Sequence, residues 1–447
     1  MEKLRPDKTF TYQIITYGCQ MNVRDSEKMG AMLESIGGLP AGEGSESGDV
    51  ILYNTCCIRE HAEDRVFGNV GRLRKAKREN PEKIIGVCGC MMQQSGAADD
   101  FLRRFDFVEL IFGTHNMHKL PEYVGRIQGG EKPIVEIFDK EQLEQVQKGL
   151  LRTQATPSKF VDIMQGCDNY CTYCIVPFVR GRERSRKKEE IVDEVRQLVK
   201  GGTREIVLLG QNVNSYAGGG DAFAELLREL DRVPGIARIR FMTSHPKDLS
   251  DSLISAMAQC RHVCKQLHLP VQSGSNDVLR RMNRKYTREH YLGLVRKLRE
   301  KMPHIGLTTD IIVGFPGETD EDFEQTLELI RQVRFHSGYL FGFSARRGTA
   351  ADKMADQVPE LVKRERLQRL IGLQRQITAE INAGYVGQTC EVLVEKAGGQ
   401  ARQLVGRTDC GRPVHFGGSQ DKIGQLVDVT IGRAKGNILL GTMAEGK

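Results

Sequence analysis

The sequence predicts a multidomain α/β protein that ends in a small all-β domain. From Thr11, short apolar, β-branched segments alternate with helical segments, and the same alternation resumes on a larger scale from Phe160. This pattern is typical of βαβ units on a parallel sheet. After Thr389, apolar and polar residues alternate between glycine-rich turns, which predicts a small barrel. A chain of 447 residues is long enough for two or three such domains.

Residues 10–128 are predicted to form a Rossmann-like parallel sheet in which three strands each run into a cysteine. The strands are expected at residues 12–17, 49–54 and 83–87, with helices at 25–36 and 60–78, and the cysteines are Cys19, Cys56 and Cys90. Ligands of such sheets collect beyond the carboxyl ends of the strands, so the three thiols could converge on one site. The alternative is three buried free cysteines. Cys57 and Cys88 are expected to pack nearby, although either could replace Cys56 or Cys90.

Residues 153–383 are predicted to form a larger α/β domain. We expect strands at residues 160–164, 205–209, 238–242, 266–269, 307–313 and 337–343, with helices that include 187–200, 290–301 and 320–333. Six such units fall short of the eight in a closed TIM barrel, so we expect an open (βα)6 partial TIM barrel. Before it, residues 117–157 are expected to add one helix and one strand and then a linker. After it, a helix at 361–384 leads into barrel strands at 389–395, 403–408, 427–432 and 438–442.

Three cysteines within eight residues follow the first strand of the partial barrel. Cys167, Cys171 and Cys174 have the spacing C-x3-C-x2-C, which is too short for a disulfide framework and leaves an odd thiol. Structural zinc normally takes four ligands, and no fourth cysteine or histidine lies close by. Three thiolates on a four-iron cluster would leave one iron open to a substrate or cofactor. The motif therefore predicts an iron–sulfur cluster at the C-terminal mouth of the barrel.

Composition narrows the class of protein. No apolar run reaches the roughly 18 residues of a membrane span, and the first eight residues lack the apolar region of a signal peptide. We therefore expect a cytoplasmic enzyme, in which twelve cysteines indicate metal or redox chemistry rather than disulfides. The net charge of +7 favours polyanionic partners only weakly.

The cysteine motifs and their surroundings resemble the methylthiotransferase family of the radical S-adenosylmethionine (SAM) enzymes. The motifs that carry the resemblance are the tricysteine loop, Gly18-Cys19-Gln20-Met21-Asn22, Asn54-Thr55-Cys56, Gly89-Cys90, Leu209-Gly210-Gln211-Asn212-Val213, Leu269-Pro270-Val271-Gln272-Ser273-Gly274-Ser275 and residues 309–319. The resemblance implies two [4Fe–4S] clusters. One, on the tricysteine loop, would generate a 5′-deoxyadenosyl radical from SAM. The other, on Cys19, Cys56 and Cys90, would carry the sulfur to be inserted, with a second SAM as the methyl donor.

The same resemblance implies an RNA substrate. The terminal barrel, residues 386–446, is similar to the RNA-binding TRAM domain, and residues 176–186 and 54–60 are most similar to the branch that modifies C2 of N6-isopentenyladenosine beside the tRNA anticodon. Branches acting on N6-threonylcarbamoyladenosine or on a ribosomal protein are the alternatives. The implied partners are the tRNA anticodon stem-loop, an electron donor such as flavodoxin or ferredoxin, and iron–sulfur carrier proteins. We expect a monomeric enzyme that does not bind membranes. A non-catalytic RNA-binding protein with one structural cluster is the alternative from a different class.

Further site residues are expected around the barrel mouth. Many radical SAM enzymes have Gly-Gly-Glu after the second strand, where this chain has Gly210, Gln211 and Asn212. The candidate SAM-binding residues are Gln211, Asn212, Gln272, Ser273, Asp310 and Gly314. The segment after Gly314 could instead be only a tight strand-to-helix turn. The basic run behind the tricysteine loop is predicted to contact RNA phosphates through Arg180, Arg182, Arg184 and Arg186, with a solvated start of a helix as the alternative.

Overall fold

A computed structural model describes residues 9–42, 47–57, 60–138, 156–400 and 402–444. The chain divides into two compact units. The first contains residues from 1–153, 165–168 and 175–183, and the second contains residues from 154–164, 169–174 and 184–447. The predicted linker before the barrel falls largely outside the described residues. Within them, no helix has both the length and the apolar character of a membrane span.

The first unit contains the predicted parallel sheet, which has six strands. Its strands are β1 Phe10–Tyr17, β2 Gly38–Pro40, β3 Val50–Thr55, β4 Ile84–Gly89, β5 Leu110–Phe112 and β6 Ile134–Glu136, in the order β2-β1-β3-β4-β5-β6. Its helices are α1 Gln20–Ser35, α2 Glu60–Glu79, α3 Ala97–Arg104, α4 Leu120–Gln128 and α5 Val176–Val179. The three-residue strands β2 and β5 were not predicted because they are too short to show a periodicity. Helix α1 begins at Gln20, earlier than predicted.

Both faces of this sheet are buried. One face packs Leu52 and Leu110 against α1 and α4, and the other packs Ile51 and Ile85 against α2 and α3. Strands β3 and β4 are buried at every residue, as expected for a parallel sheet covered on both sides. The fold therefore leaves the carboxyl edge of the sheet, rather than a face, as the place for a ligand.

The second unit contains the predicted six-stranded partial barrel. Its strands are β7 Ser158–Asp162, β10 Glu205–Leu209, β11 Arg238–Phe241, β12 Gln266–His268, β13 Gly306–Val313 and β14 Ser337–Gly342, with the two-residue strands β8 Met164–Gln165 and β9 Arg184–Ser185. The six barrel strands pair in parallel, in the orders β11-β10-β7 and β12-β13-β14, and the bridge Ile239–Val263 links the two halves. The helices are α6 Lys188–Lys200, α7 Ala222–Asp231, α8 Asp251–Gln259, α9 Asn276–Arg281, α10 Arg288–Lys301, α11 Asp320–Val333 and α12 Glu360–Ala383.

A closed five-stranded barrel follows α12, as predicted. Its strands are β15 Thr389–Ala397, β16 Gln403–Thr408, β17 Pro413–Gly417, β18 Leu426–Lys435 and β19 Ile438–Met443, closed in the order β15-β16-β17-β19-β18. The core includes Val392, Leu404, Val414 and Val429. Strand β17 was not predicted. It completes the barrel by pairing parallel with β19, while the other pairs are antiparallel.

Two buried arginines join this terminal barrel to the amino ends of the partial-barrel strands. Arg240 donates from Nε to Glu205 Oε2 at 2.6 Å and from Nη2 to the Thr408 carbonyl at 2.7 Å. Arg238 donates to the carbonyl oxygens of Arg407 and Glu391. The contact lies at the end of the partial barrel opposite the carboxyl ends of its strands, so it leaves the mouth of the barrel free.

Candidate active site

Cys19, Cys56 and Cys90 lie at the carboxyl ends of three neighbouring strands. Tyr17 of β1 pairs with Thr55 of β3, which pairs with Gly89 of β4, so each cysteine follows this row by one or two residues. The Cys56 amide donates to the Tyr17 carbonyl at 2.9 Å, which ties two of the strand ends together. The strand order thus brings the three cysteines to one edge. Their role as ligands stays a prediction.

A buried pair of asparagines holds this edge together. Asn22 Oδ1 accepts from the Cys19 amide at 3.2 Å, and Asn22 Nδ2 donates to Asn54 Oδ1 at 3.1 Å. Asn54 Nδ2 returns a hydrogen bond to the Asn22 carbonyl at 2.8 Å. A Cβ added to Gly18 would collide with Asn22, and one added to Gly89, whose φ is +97°, would lie 2.5 Å from Asn54 Oδ1. The glycine beside Cys19 and the one beside Cys90 therefore make room for this pair.

Sequence reasoning gave these asparagines no role. One signal was present in the sequence, because Asn54 is an amide residue directly after the apolar run of β3, and the structure shows that it is 1% exposed. A buried amide needs partners, so such a residue marks a built polar site.

The thiols at this edge are electrostatically tuned. A hydrogen bond from Cys56 lowers the pKa of Cys19 to about 6 against the effect of burial, and the charge of Arg180 adds to this. A hydrogen bond from Cys57 lowers the pKa of Cys90 to about 7, again helped by Arg180. Low thiol pKa values favour the thiolates that metals bind.

The donor set at this edge consists of thiols, and thiolates are the ligands that iron–sulfur clusters take. Across the described ranges, no group of histidine, cysteine and acidic residues is arranged around one metal ion. Cys88 packs in the sheet core with its sulfur 3.8 Å from Met29 Sδ, as expected for a packing residue. Cys57 instead lies in a buried cluster with Cys90, Ile175 and Val179.

The basic run behind the tricysteine loop divides into buried and exposed arginines. Arg180 is 6% exposed and donates to Asp25 Oδ2 at 2.7 Å. Arg186 is 8% exposed and pairs with Glu194 at 2.7 Å. The predicted phosphate contacts of Arg180 and Arg186 are therefore wrong, because both guanidinium groups are buried against carboxylates.

The other two arginines of the run keep access to solvent. Arg182 is exposed and Arg184 half-buried, so their phosphate contacts stay predictions.

The tricysteine loop follows β7, and its cysteines are held by main-chain hydrogen bonds. In the second unit, the Cys174 amide donates to the Cys171 carbonyl at 2.9 Å, and the Thr172 amide donates to the Met282 carbonyl at 3.1 Å. In the first unit, the Cys167 amide donates to the Gly181 carbonyl at 3.2 Å. Because these bonds join main-chain atoms, they hold the backbone of the loop without using the cysteine side chains.

Arg284, which sequence reasoning missed, lies beside this loop. Its guanidinium donates to Cys171 Sγ at 3.3 Å and to the Pro270 carbonyl at 3.0 Å, and it is 4% exposed. Its other hydrogen bonds in the described structure go to Tyr173 and Tyr286, so none reaches a carboxylate. No local pattern signals this residue, because its burial depends on the fold.

Buried polar atoms without hydrogen-bond partners in the described structure occur at the mouth of the partial barrel. Within the described chain, buried side-chain atoms of five residues that follow β10, β11 and β12 have no hydrogen-bond partner: Asn212, Asn214, Ser244, His245 and Gln272. Buried polar groups are normally satisfied, so such atoms at successive strand ends fit a polar ligand. Asn212 and Gln272 were predicted as SAM contacts.

The other predicted SAM contacts have different surroundings. Ser273 is fully buried, and its hydroxyl lies 3.3 Å from Thr326 Oγ1 and accepts from the Ser275 amide, so its role in cofactor binding stays a prediction. Gly314 has φ +70°, and its amide donates to Glu318 at 2.8 Å, which confirms the tight turn. Asp310 lies on β13, where its carboxylate is 3.4 Å from His268 Nε2. Roles for Gln211, Asp310 and Gly314 in cofactor binding stay predictions.

Comparisons with known proteins agree with these features. Residues 161–330 match the Radical SAM superfamily, residues 11–113 match the uncharacterized protein family UPF0004, and residues 384–444 match the TRAM domain. The chain is 49% identical to the tRNA-2-methylthio-N(6)-dimethylallyladenosine synthase of Clostridium beijerinckii, over 98% of this chain and 97% of that protein. It is 50% identical to the synthase of the same name from Carboxydothermus hydrogenoformans, over 95% of this chain and 97% of that protein. The chain belongs to the family of the tRNA-2-methylthio-N(6)-dimethylallyladenosine synthases.

Solved structures support the fold alone. The radical SAM methyltransferase TsrM from Kitasatospora setae superposes with a TM-score of 0.55 at 13% identity, over 86% of this chain and 77% of that one. The cobalamin-dependent radical SAM enzyme OxsB gives 0.54 at 13% identity, over 81% of this chain and 56% of that one. The family membership therefore rests on sequence, and the solved structures add support for the fold only.

Proposed function

We propose that this protein adds a methylthio group to C2 of N6-isopentenyladenosine beside the anticodon of tRNA, using two molecules of SAM. The observation that carries the proposal is the pairing of two cysteine triads, one at the carboxyl edge of a parallel sheet and one in a loop after the first strand of a partial barrel. The chain has this arrangement together with 49% identity, over nearly its full length, to proteins named for that reaction. A non-catalytic RNA-binding protein has no need of two triads.

The two triads would hold two [4Fe–4S] clusters, with Cys167, Cys171 and Cys174 on one and Cys19, Cys56 and Cys90 on the other. When bound, the first cluster would supply the electron that cleaves SAM, and the second would hold the sulfur that is inserted. The protein's own contribution is to hold the thiols. The low pKa values of Cys19 and Cys90 keep them ready as thiolates, and the asparagine pair Asn22–Asn54 fixes the strand ends that carry them.

SAM would lie at the mouth of the partial barrel. A bound SAM carries a carboxylate, an ammonium and a ribose. Arg284 is a buried cation beside Cys171, and no carboxylate of the described residues pairs with it, so it is suited to the SAM carboxylate. The orphaned amide oxygens of Asn212 and Gln272 are suited to the polar donors of SAM. Gln211 follows β10, Asp310 lies on β13 and Gly314 follows β13, and we include all three in the proposed SAM site.

The tRNA anticodon stem-loop would be held by the terminal barrel and by Arg182 and Arg184. An electron donor such as flavodoxin or ferredoxin and iron–sulfur carrier proteins would complete the cycle, and we expect a monomer. These partners follow from the chemistry, which needs an electron and preformed clusters.

The test is anaerobic reconstitution with iron and sulfide, followed by SAM, dithionite and isopentenyl-modified tRNA, with mass spectrometry of the digested nucleosides. The methylthio nucleoside should appear with wild-type protein and be lost, separately, in Cys19→Ala and Cys171→Ala. Cys88→Ala is the matched control, because Cys88 is a buried cysteine of the same sheet that packs against Met29. It should retain iron and activity.

The outcomes separate the parts of the proposal. If 5′-deoxyadenosine forms while isopentenyl-modified tRNA stays unchanged, the substrate is wrong, and threonylcarbamoyl-modified tRNA is tested next. If neither product forms from protein with iron for two clusters, the proposal fails. Loss of iron in Cys57→Ala but not in Cys56→Ala would move the third ligand to the neighbouring cysteine.

A further inference from the structure

The segment that follows the tricysteine loop belongs to the first unit, together with the parallel sheet. Residues 175–183 group with that unit rather than with the partial barrel. Ile175 and Val179 pack with Cys57 and Cys90, and the Val179 carbonyl accepts from Thr114 Oγ1 at 2.6 Å. These contacts anchor the residue that comes next, Arg180, at the cysteine edge of the sheet.

Arg180 forms a buried ion pair at this edge. Its Nη2 lies 2.7 Å from Asp25 Oδ2, and the two side chains are 6% and 8% exposed. Asp25 belongs to α1, the helix that begins directly after Cys19. A buried ion pair commonly costs as much desolvation as it returns in attraction, so it is weak evidence for a purely stabilising role.

The packing fixes this pair at the cysteine edge. Arg180 directly follows Val179, which packs with Cys90, and its partner Asp25 lies on α1, whose N-cap residue is Cys19. A buried guanidinium is therefore held at the edge of the sheet that carries the thiols.

We propose that Arg180, held by Asp25, is a positioning residue that sets the reduction potential of the iron–sulfur cluster on Cys19, Cys56 and Cys90. A fixed positive charge beside a cluster stabilises its reduced, more negative state and so raises its potential, and burial limits screening by solvent. The inference rests on the proposed function, because it requires a cluster on these three cysteines.

The experiment measures the potential of this cluster alone. The background is the full-length chain with Cys167→Ala, Cys171→Ala and Cys174→Ala, reconstituted anaerobically and titrated with redox mediators while the reduced cluster is followed by electron paramagnetic resonance. Arg180→Gln removes the positive charge and should lower the midpoint potential. At a fixed ambient potential, the ratio of reduced to oxidised cluster should fall about tenfold, which is about 59 mV for one electron.

Asp25→Asn is the matched variant of opposite sign. It leaves the guanidinium uncompensated, so the midpoint potential should rise above that of the background protein. Arg180→Lys keeps the charge, and its midpoint potential should lie between those of the background protein and Arg180→Gln. A residue that only holds the segment in place would change iron content without shifting the potential in opposite directions for the two variants.

Two results would overturn the inference, and they are distinguishable. If the background protein binds a cluster and the potentials of Arg180→Gln and Asp25→Asn equal that of the background protein, the inference fails while the proposed function stands. If the background protein binds no cluster, both fail together. If Arg180→Gln does not assemble a cluster, Asp25→Asn decides alone, and an unchanged or lowered potential refutes the proposal.

Discussion

Replacing Arg240 with methionine should strongly destabilise the second unit. The guanidinium is 7% exposed and makes four hydrogen bonds: to Glu205 Oε2 at 2.6 Å, to Gln266 Oε1 at 2.5 Å, and to the carbonyls of Thr408 and Asp409 at 2.7 and 2.9 Å. It thus joins three strands of the partial barrel to one turn of the terminal barrel. Methionine fills similar volume but leaves Glu205 buried without its partner.

Breaking a buried ion pair by removing one member costs about 3–5 kcal/mol, because the remaining charge stays buried. We expect Arg240→Met to lower the free energy of unfolding of the second unit by about that amount. Glu205→Gln should lower it less, because a neutral amide can still accept a hydrogen bond from Arg240. The control is Lys297→Met, which removes an exposed pair with Asp251 and should cost less than about 1 kcal/mol.

The assay is urea unfolding of the apoprotein, read by hydrogen exchange so that the two units are followed separately. Exchange should accelerate in the turn that contains Thr408 and Asp409 and in the amino ends of β10–β12. If Arg240→Met unfolds within about 1 kcal/mol of the wild type, as Lys297→Met is expected to do, the four contacts do not join the barrels, and the reasoning from burial is wrong.

Three further predictions concern the sites. Gly89→Ala should lose iron from the sheet-edge triad, because the φ of Gly89 is +97° and the added Cβ would lie 2.5 Å from Asn54 Oδ1. The iron content of the reconstituted protein measures this loss. Gly68→Ala, at a helix position with open space around it, should leave the iron content unchanged. Burial and neighbouring cations lower the pKa of His245 to about 2, so between pH 7.5 and 5.5 the imidazole takes up a proton in the unfolded state but not in the folded state. The free energy of unfolding of the apoprotein should therefore fall by about 1.4 kcal/mol more in the wild type than in His245→Asn over this pH range. Equal losses in the two proteins would contradict this prediction. Arg182→Ala should weaken tRNA binding and reduce the slope of log affinity against log salt by about 1, and an unchanged slope would exclude a phosphate contact.

Local patterns in the chain determined much of this protein. The tricysteine loop could be predicted because its thiols lie within eight residues, and any fold that orders this loop keeps them in one short segment. The cysteines at the sheet edge could be predicted because each follows a strand with its own apolar signal, and neighbouring parallel strands end at the same edge. The six barrel strands and the terminal barrel followed from periodicity in the same way.

The tertiary structure decided which charged and polar residues the sites use. Arg180, Arg182, Arg184 and Arg186 look alike in the sequence, yet two are buried, because Arg180 meets a carboxylate 155 residues away and Arg186 meets Glu194. Arg284 reaches Cys171 across 113 residues. Burial and pairing depend on the neighbours that folding supplies, and a linear pattern carries information only about residues close along the chain. The sequence by itself therefore determined most of the longer elements and the positions of the two cysteine triads along the chain, and only the packing of distant segments decided which side chains surround them.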